Sequence, residues 1–150
     1  MTELYEVADL VPHSGRMSLL TRVVAYGEQW LEAEVDIHSH SMFVEEKGVP
    51  AWIGVEYLAQ AIAAYAGIQQ KQQSQPPKLG FLLGTRRYQC NIDWFAIEQT
   101  LSIRVECEMQ AENGLHVFRC ELRGKQVAAS ASLNIYQPDD ASQFIEEAIR

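Results

Sequence analysis

Two early segments carry the pattern of β-strands. Residues 17–26 (Met-Ser-Leu-Leu-Thr-Arg-Val-Val-Ala-Tyr) and 30–37 (Trp-Leu-Glu-Ala-Glu-Val-Asp-Ile) are rich in β-formers, and the second alternates apolar with polar. Gly27-Glu28-Gln29 between them reads as a hairpin turn. From Pro50 to about Gln70 the pattern changes: the run is dense in Ala, Ile and Leu, with proline where a first helical turn tolerates it, which predicts a helix. This helix is apolar on nearly all sides, the composition of one wrapped by other structure. The polar stretch Gln69–Lys78, with Pro76-Pro77, has no period and reads as a connection. Four β-like runs follow, Leu79–Cys90, Thr100–Gln110, His116–Arg123 and Gln126–Tyr136, with turns at Glu112-Asn113-Gly114 and Gly124-Lys125, and their order implies an antiparallel meander. The tail, Asp139–Arg150, carries an apolar stripe at Phe144, Ile145, Ala148 and Ile149 that predicts a short terminal helix. Two strands, one long buried helix and four strands give an α+β class in which an antiparallel sheet curls around the helix.

Length and composition fit that reading. A chain of 150 residues accommodates one domain, 1–150, and its 47% apolar and 21% charged residues are those of a chain that folds unaided. No apolar run approaches the roughly 20 residues of a membrane span, and Met1-Thr2-Glu3-Leu4-Tyr5-Glu6 lacks the basic start of a signal peptide, so a cytoplasmic location is expected. The three cysteines, Cys90, Cys107 and Cys120, are odd in number and widely spaced in strand-like segments, which predicts buried free thiols. A net charge of -8 argues against the clustered basic face that nucleic acid requires.

Within this frame a few residues stand out. Glu56 lies on the apolar helix with Gln60 at i+4, so both side chains project from one face. A carboxyl group with little water favours its protonated form, as an acid working near neutral pH requires; the alternative is a structural glutamate held by backbone donors. His38-Ser39-His40 precedes the helix by a loop, close enough for either imidazole to fold back toward the first turns. The two histidines have no third ligand at a recognisable spacing, so no metal is expected. The helix start at Val49-Pro50-Ala51-Trp52 offers backbone N–H groups and the positive end of a dipole, able to polarise a carbonyl oxygen, as every helix start does. Arg86 and Arg87 are adjacent cations in an acidic chain and suit an acidic partner or a phosphate; neighbours on a strand face opposite ways, so at most one of them does this.

With these residues in view, the chain resembles the hotdog-fold 3-hydroxyacyl-carrier-protein dehydratases over nearly its whole length. Leu10-Val11-Pro12-His13-Ser14-Gly15-Arg16-Met17-Ser18-Leu19-Leu20 is similar to the family's opening Leu-Pro-His-Arg segment. Pro50-Ala51-Trp52-Ile53-Gly54-Val55-Glu56-Tyr57-Leu58-Ala59-Gln60-Ala61 is similar to its Pro-Gly-Val, Glu and Ala-Gln on the central helix, and Leu79–Gly84 onward to Asn134-Ile135-Tyr136 to its later strands. Gly48–Trp52 and Glu56–Gln60 resemble most the ApeP-like dehydratases of aryl polyene biosynthesis.

The resemblance implies a hotdog fold, a dimer with acyl channels at the subunit interface, a substrate bound to acyl carrier protein, and no cofactor. It assigns the helix acid to Glu56 and the amide donor of the substrate site to Ala51, beside Gln60. The histidine departs from the pattern: ungapped alignment puts Met42 in its place, and His40 reaches the role with a two-residue shift. Elimination of water from a 3-hydroxyacyl thioester is thus expected, with Glu56 as acid and His40, His38, His13 or a partner's residue as base, and with Arg86 or Arg87 meeting the carrier protein. Two other readings stay open: thioester hydrolysis, in which Glu56 activates water, and a non-catalytic subunit of a dehydratase heterodimer.

Overall fold

A computed structural model of the chain describes residues 19–72, 81–111 and 114–136. The expected first hairpin forms from β1 (Arg22–Tyr26) and β2 (Trp30–Ile37), where Leu31, Ala33, Val35 and Ile37 are buried and the residues between them half-exposed, as strand alternation requires. The first strand begins at Arg22, later than the pattern predicts. A two-residue strand β3 (Val49–Pro50) leads into a 3₁₀ turn, Ala51–Ile53, and then helix α1, Gly54–Gln72. Pro50 is extended (ψ 136°) and cannot belong to the helix, so the turn starts one residue after it. The helix runs to Gln72, two residues past the expected Gln70 and into the stretch read as a connection.

The later runs become β4 (Phe81–Cys90), β5 (Trp94–Phe95), β6 (Gln99–Gln110), β7 (Leu115–Gly124) and β8 (Val127–Tyr136). They do not form one meander. The main sheet runs β1-β2-β6-β7-β8-β4, all neighbours antiparallel. Both edges of β6 are taken by β2 and β7, so β4 joins the free edge of β8 instead, and only β6, β7 and β8 follow in sequence. β3 and β5 pair separately, Val49 with Phe95 and Pro50 with Trp94. The predicted tail helix and the Glu112-Asn113 turn residues lie outside the described residues.

The sheet covers one side of α1. Tyr57, Leu58, Ala61, Ile62, Ala64, Tyr65 and Ile68 pack against Leu31, Val35, Leu101, Ile103, Val105, Phe118, Leu122 and Leu133 in one core. Tyr65 also donates its hydroxyl to the Glu28 carbonyl (2.7 Å), tying the helix to the first hairpin. The helix is not enclosed all round as its composition predicts: Val55, Glu56, Ala59, Ala63, Ala66 and Gly67 form a half-buried stripe, because a single sheet layer reaches only one face. Of the cysteines, all free, only Cys120 is buried, and burial pushes its thiol up to about 12; Cys90, at the end of β4, and Cys107, at a bulge in β6, are half-exposed. The outer sheet face carries an ion-pair ladder in which Arg22 bonds Glu34 and Asp36, and Arg104 bonds Glu32 beneath the Trp30 ring. Such exposed pairs contribute little individually.

The loop before α1 is held by close backbone approach. Gly48 sits at φ 120°, and a Cβ there would stand 2.1 Å from the Phe95 carbonyl oxygen. Gly48→Ala is expected to lose about 2–4 kcal/mol of stability. Urea denaturation checks this; an unchanged midpoint would mean that the β3–β5 clasp is not rigid.

Candidate active site

Glu56 occupies the first turn of α1 and is half-buried. One turn on, Gln60 is 2% exposed. Its amide bridges Leu19 and Glu56: the Leu19 backbone N–H donates to Gln60 Oε1 (2.8 Å), and Gln60 Nε2 donates to Glu56 Oε1 (3.3 Å). A backbone N–H can only donate, so Leu19 fixes which end of the Gln60 amide faces Glu56. The second carboxyl oxygen of Glu56 accepts no hydrogen bond among the described residues. The i+4 pair that the sequence placed on one face is therefore in contact. The role of Leu19 was not legible, because a main-chain group leaves no mark on residue type.

The histidines are elsewhere. His38 and His40 are exposed in the loop after β2, where the His40 N–H donates to His38 Nδ1 (3.1 Å) and the ring centroids are 6.3 Å apart. No hydrogen bond or ring contact joins either to Glu56 among the described residues. His13 lies outside the described residues. Ala51 is buried, and its N–H donates to the Asp93 carbonyl (2.9 Å) while its own carbonyl accepts the Tyr88 hydroxyl (2.6 Å). Both polar groups of this residue thus have partners within the chain.

Arg86 pairs with Ser132 in the sheet, and Arg87, exposed, forms no ion pair among the described residues. Arg87 adopts φ 62°, so the two arginines are not simple alternating neighbours on a regular strand. Among the described residues no group of His, Cys, Asp and Glu could hold a metal ion, and no helix is long and apolar enough to cross a membrane.

An acid and an oriented amide on a central helix, behind a curled antiparallel sheet, meet the comparison with known proteins at this point. The family model described as ApeP-like, ApeP dehydratase, matches residues 5–146. The chain belongs to the ApeP-like dehydratase family. Among solved structures it is similar to the dehydratase heterocomplex ApeI:P from Xenorhabdus doucetiae, with a TM-score of 0.90 and 27% identity over 99% of this chain and 100% of that one. The PaaI protein of the phenylacetic acid degradation operon of E. coli matches with a TM-score of 0.60 and 11% identity over 76% of this chain and 80% of that chain. A hypothetical thioesterase with coenzyme A from Streptococcus pneumoniae gives 0.59 and 9% over 77% of this chain and 86% of that one. The last two likenesses show the fold alone. No curated protein matches the sequence significantly. The fold is the hotdog fold, and the chain is a hotdog dehydratase by family.

Gln60→Leu keeps the side-chain volume but leaves the Leu19 N–H and Glu56 Oε1 without their shared partner. The expected loss is about 1–3 kcal/mol, read as a lower melting temperature. No loss would show that water replaces the amide there.

Proposed function

We propose that this dehydratase removes water from a 3-hydroxyacyl group carried as a thioester on acyl carrier protein, giving the trans-2-enoyl thioester. The observation that carries the reading is the Glu56–Gln60–Leu19 chain: it holds one carboxyl oxygen of Glu56 and leaves the other available to a ligand. With the thioester carbonyl at the start of α1, where the helix dipole is positive, the C2 proton becomes acidic. A base takes that proton and the C2–H electron pair forms the C2–C3 double bond. The C3–O bond then breaks, its pair leaving with the hydroxyl, which takes a proton from Glu56 and departs as water.

The base comes from a second subunit. His38 and His40 have no contact with Glu56 in this chain, which favours a site completed across a subunit boundary over one in which His40 acts from its own loop. The half-buried stripe Val55, Ala59, Ala63 and Ala66 beside Glu56 is free of bulky side chains, so another chain can approach closely there. The similar structure from Xenorhabdus doucetiae is a dehydratase heterocomplex, which supports a second dehydratase as the partner. Arg87, exposed and without an ion pair among the described residues, meets the acidic carrier protein at the outer strand, with Arg86 next to it in sequence.

Mass spectrometry of a 3-hydroxyacyl carrier protein incubated with the chain, alone and with a second dehydratase subunit, tests this. Loss of one water is expected in the mixed reaction. Glu56→Gln should lower turnover by a factor on the order of 10²–10⁴ with an unchanged melting temperature. His40→Ala should leave turnover intact. Free acid as product would replace this reading by thioester hydrolysis, and full activity of Glu56→Gln would remove Glu56 from the chemistry.

A further inference from the structure

Strand β4 interrupts its own alternation just where it passes the start of α1. It pairs with β8 so that Arg86 faces Ser132 and Gln89 faces Ser130, leaving Arg87 and Tyr88 together opposite the single residue Ala131. Two residues against one make a bulge, and Arg87 occupies it at φ 62°, in a region that residues with a side chain avoid. On β8, Ala129, Ala131 and Leu133 are buried and Ser130 is exposed. In an unbroken strand Tyr88 would share the face of Ser130 and Ser132, away from the helix. The extra residue turns it inward.

There its hydroxyl donates to the Ala51 carbonyl at 2.6 Å. It also fills the space beside Gly54: a Cβ at that position would lie 2.2 Å from the Tyr88 oxygen and 3.3 Å from the Phe95 ring. Gly54 takes ordinary helical angles (φ -54°, ψ -32°), so the glycine answers to the phenol rather than to backbone conformation. The Asp93 carbonyl accepts the Ala51 N–H at 2.9 Å, and Tyr57 stacks on Phe95 with centroids 6.1 Å apart. The turn that opens α1 is clasped from both sides, two residues before Glu56.

Resting on the dehydratase reading above, we propose that Tyr88 is a positioning residue for the acid: aimed inward by the Arg87 bulge, its phenol locks the Ala51–Gly54 turn and so fixes where the Glu56 carboxyl stands. Among the described residues the hydrogen bond that holds the Glu56 carboxyl comes from Gln60 on the same helix, so the carboxyl moves with the turn if the turn shifts. A proton must pass between Glu56 and the departing hydroxyl over hydrogen-bond distance, so a small displacement of the first turn is felt in the chemical step more than in binding. Burial, with the nearby Cys90, pushes the Tyr88 hydroxyl upward, so it remains a donor throughout the working range.

Tyr88→Phe removes only the hydroxyl oxygen and its proton and keeps the ring. Measured on the active complex, kcat is expected to fall about tenfold with KM within about twofold and the melting temperature nearly unchanged. Amide hydrogen exchange followed by mass spectrometry should rise in residues 51–57 and not in the sheet. Gly54→Ala should damage the wild type severely and cost much less in the Tyr88→Phe background, since the atom at 2.2 Å is gone and the next nearest stand at 3.1 and 3.3 Å. Unchanged kcat, strictly additive effects of the two substitutions, or exchange rising across the whole fold would each overturn the positioning role. A wild-type complex that turns nothing over defeats the dehydratase reading and the positioning role with it; exchange confined to 51–57 in Tyr88→Phe would then still show that the lock itself exists.

Discussion

One helix with almost no polar face sets the terms for the rest of the molecule. Burying a Leu, Ile or aromatic side chain is worth about 1.5–3 kcal/mol, and α1 offers Tyr57, Leu58, Ile62, Tyr65 and Ile68 within a few turns. No flat strand pair can cover that surface, so β2, β6, β7 and β8 curl across it with their inward residues. The connections follow from the same need. β6 is sandwiched between β2 and β7, and the strand that leaves the helix must go to the far edge. A single layer then leaves one side of the helix half-covered, and Glu56 stands at the end of that side.

The periodicities that made the fold legible were the local ones. Alternation at 30–37 and the Ala- and Ile-rich run after Pro50 each report a single element's burial, and the elements appeared where they were read. Pairing is different, because it depends on which strand edge is still free. The run at 79–90 carries no sign that it joins β8 rather than β6. The same limit applies to helix coverage: composition says that a helix avoids water, and says nothing of whether its own chain supplies the cover.

Among the candidate residues, legibility followed the kind of group involved. Glu56 and Gln60 contact each other because helical geometry alone brings i and i+4 together. His38 and His40 were near Glu56 only in chain distance, and the loop that carries them closes on itself: the Ser41 hydroxyl accepts the His38 N–H at 2.9 Å, and the His40 N–H turns back to His38. Ala51 suits an amide donor by its place at the helix start, yet the carbonyl of Asp93, between β4 and β5, accepts its N–H. Tyr88 could not be read at all. Its orientation depends on a bulge at Arg87, a non-glycine residue in a glycine-like conformation, which no residue pattern marks.

The acid chemistry proposed for Glu56 would depend on two supports of different origin. The chain itself supplies orientation, through Gln60 and the clasped turn before the helix. Among the described residues it does not exclude water from the stripe running from Val55 to Gly67, which is half-buried. A proton donor surrounded by water competes with the solvent, whereas one covered by apolar surface gives its proton to the group placed against it. The small side chains of that stripe allow an approaching surface to come close enough to expel the water, and a dehydratase partner bringing a base would do so in the same step. On the proposed reading the two subunits would divide the site between acid and base, and a departure from the family's histidine pattern would be tolerable in this chain because the missing function would lie on the other side of the boundary.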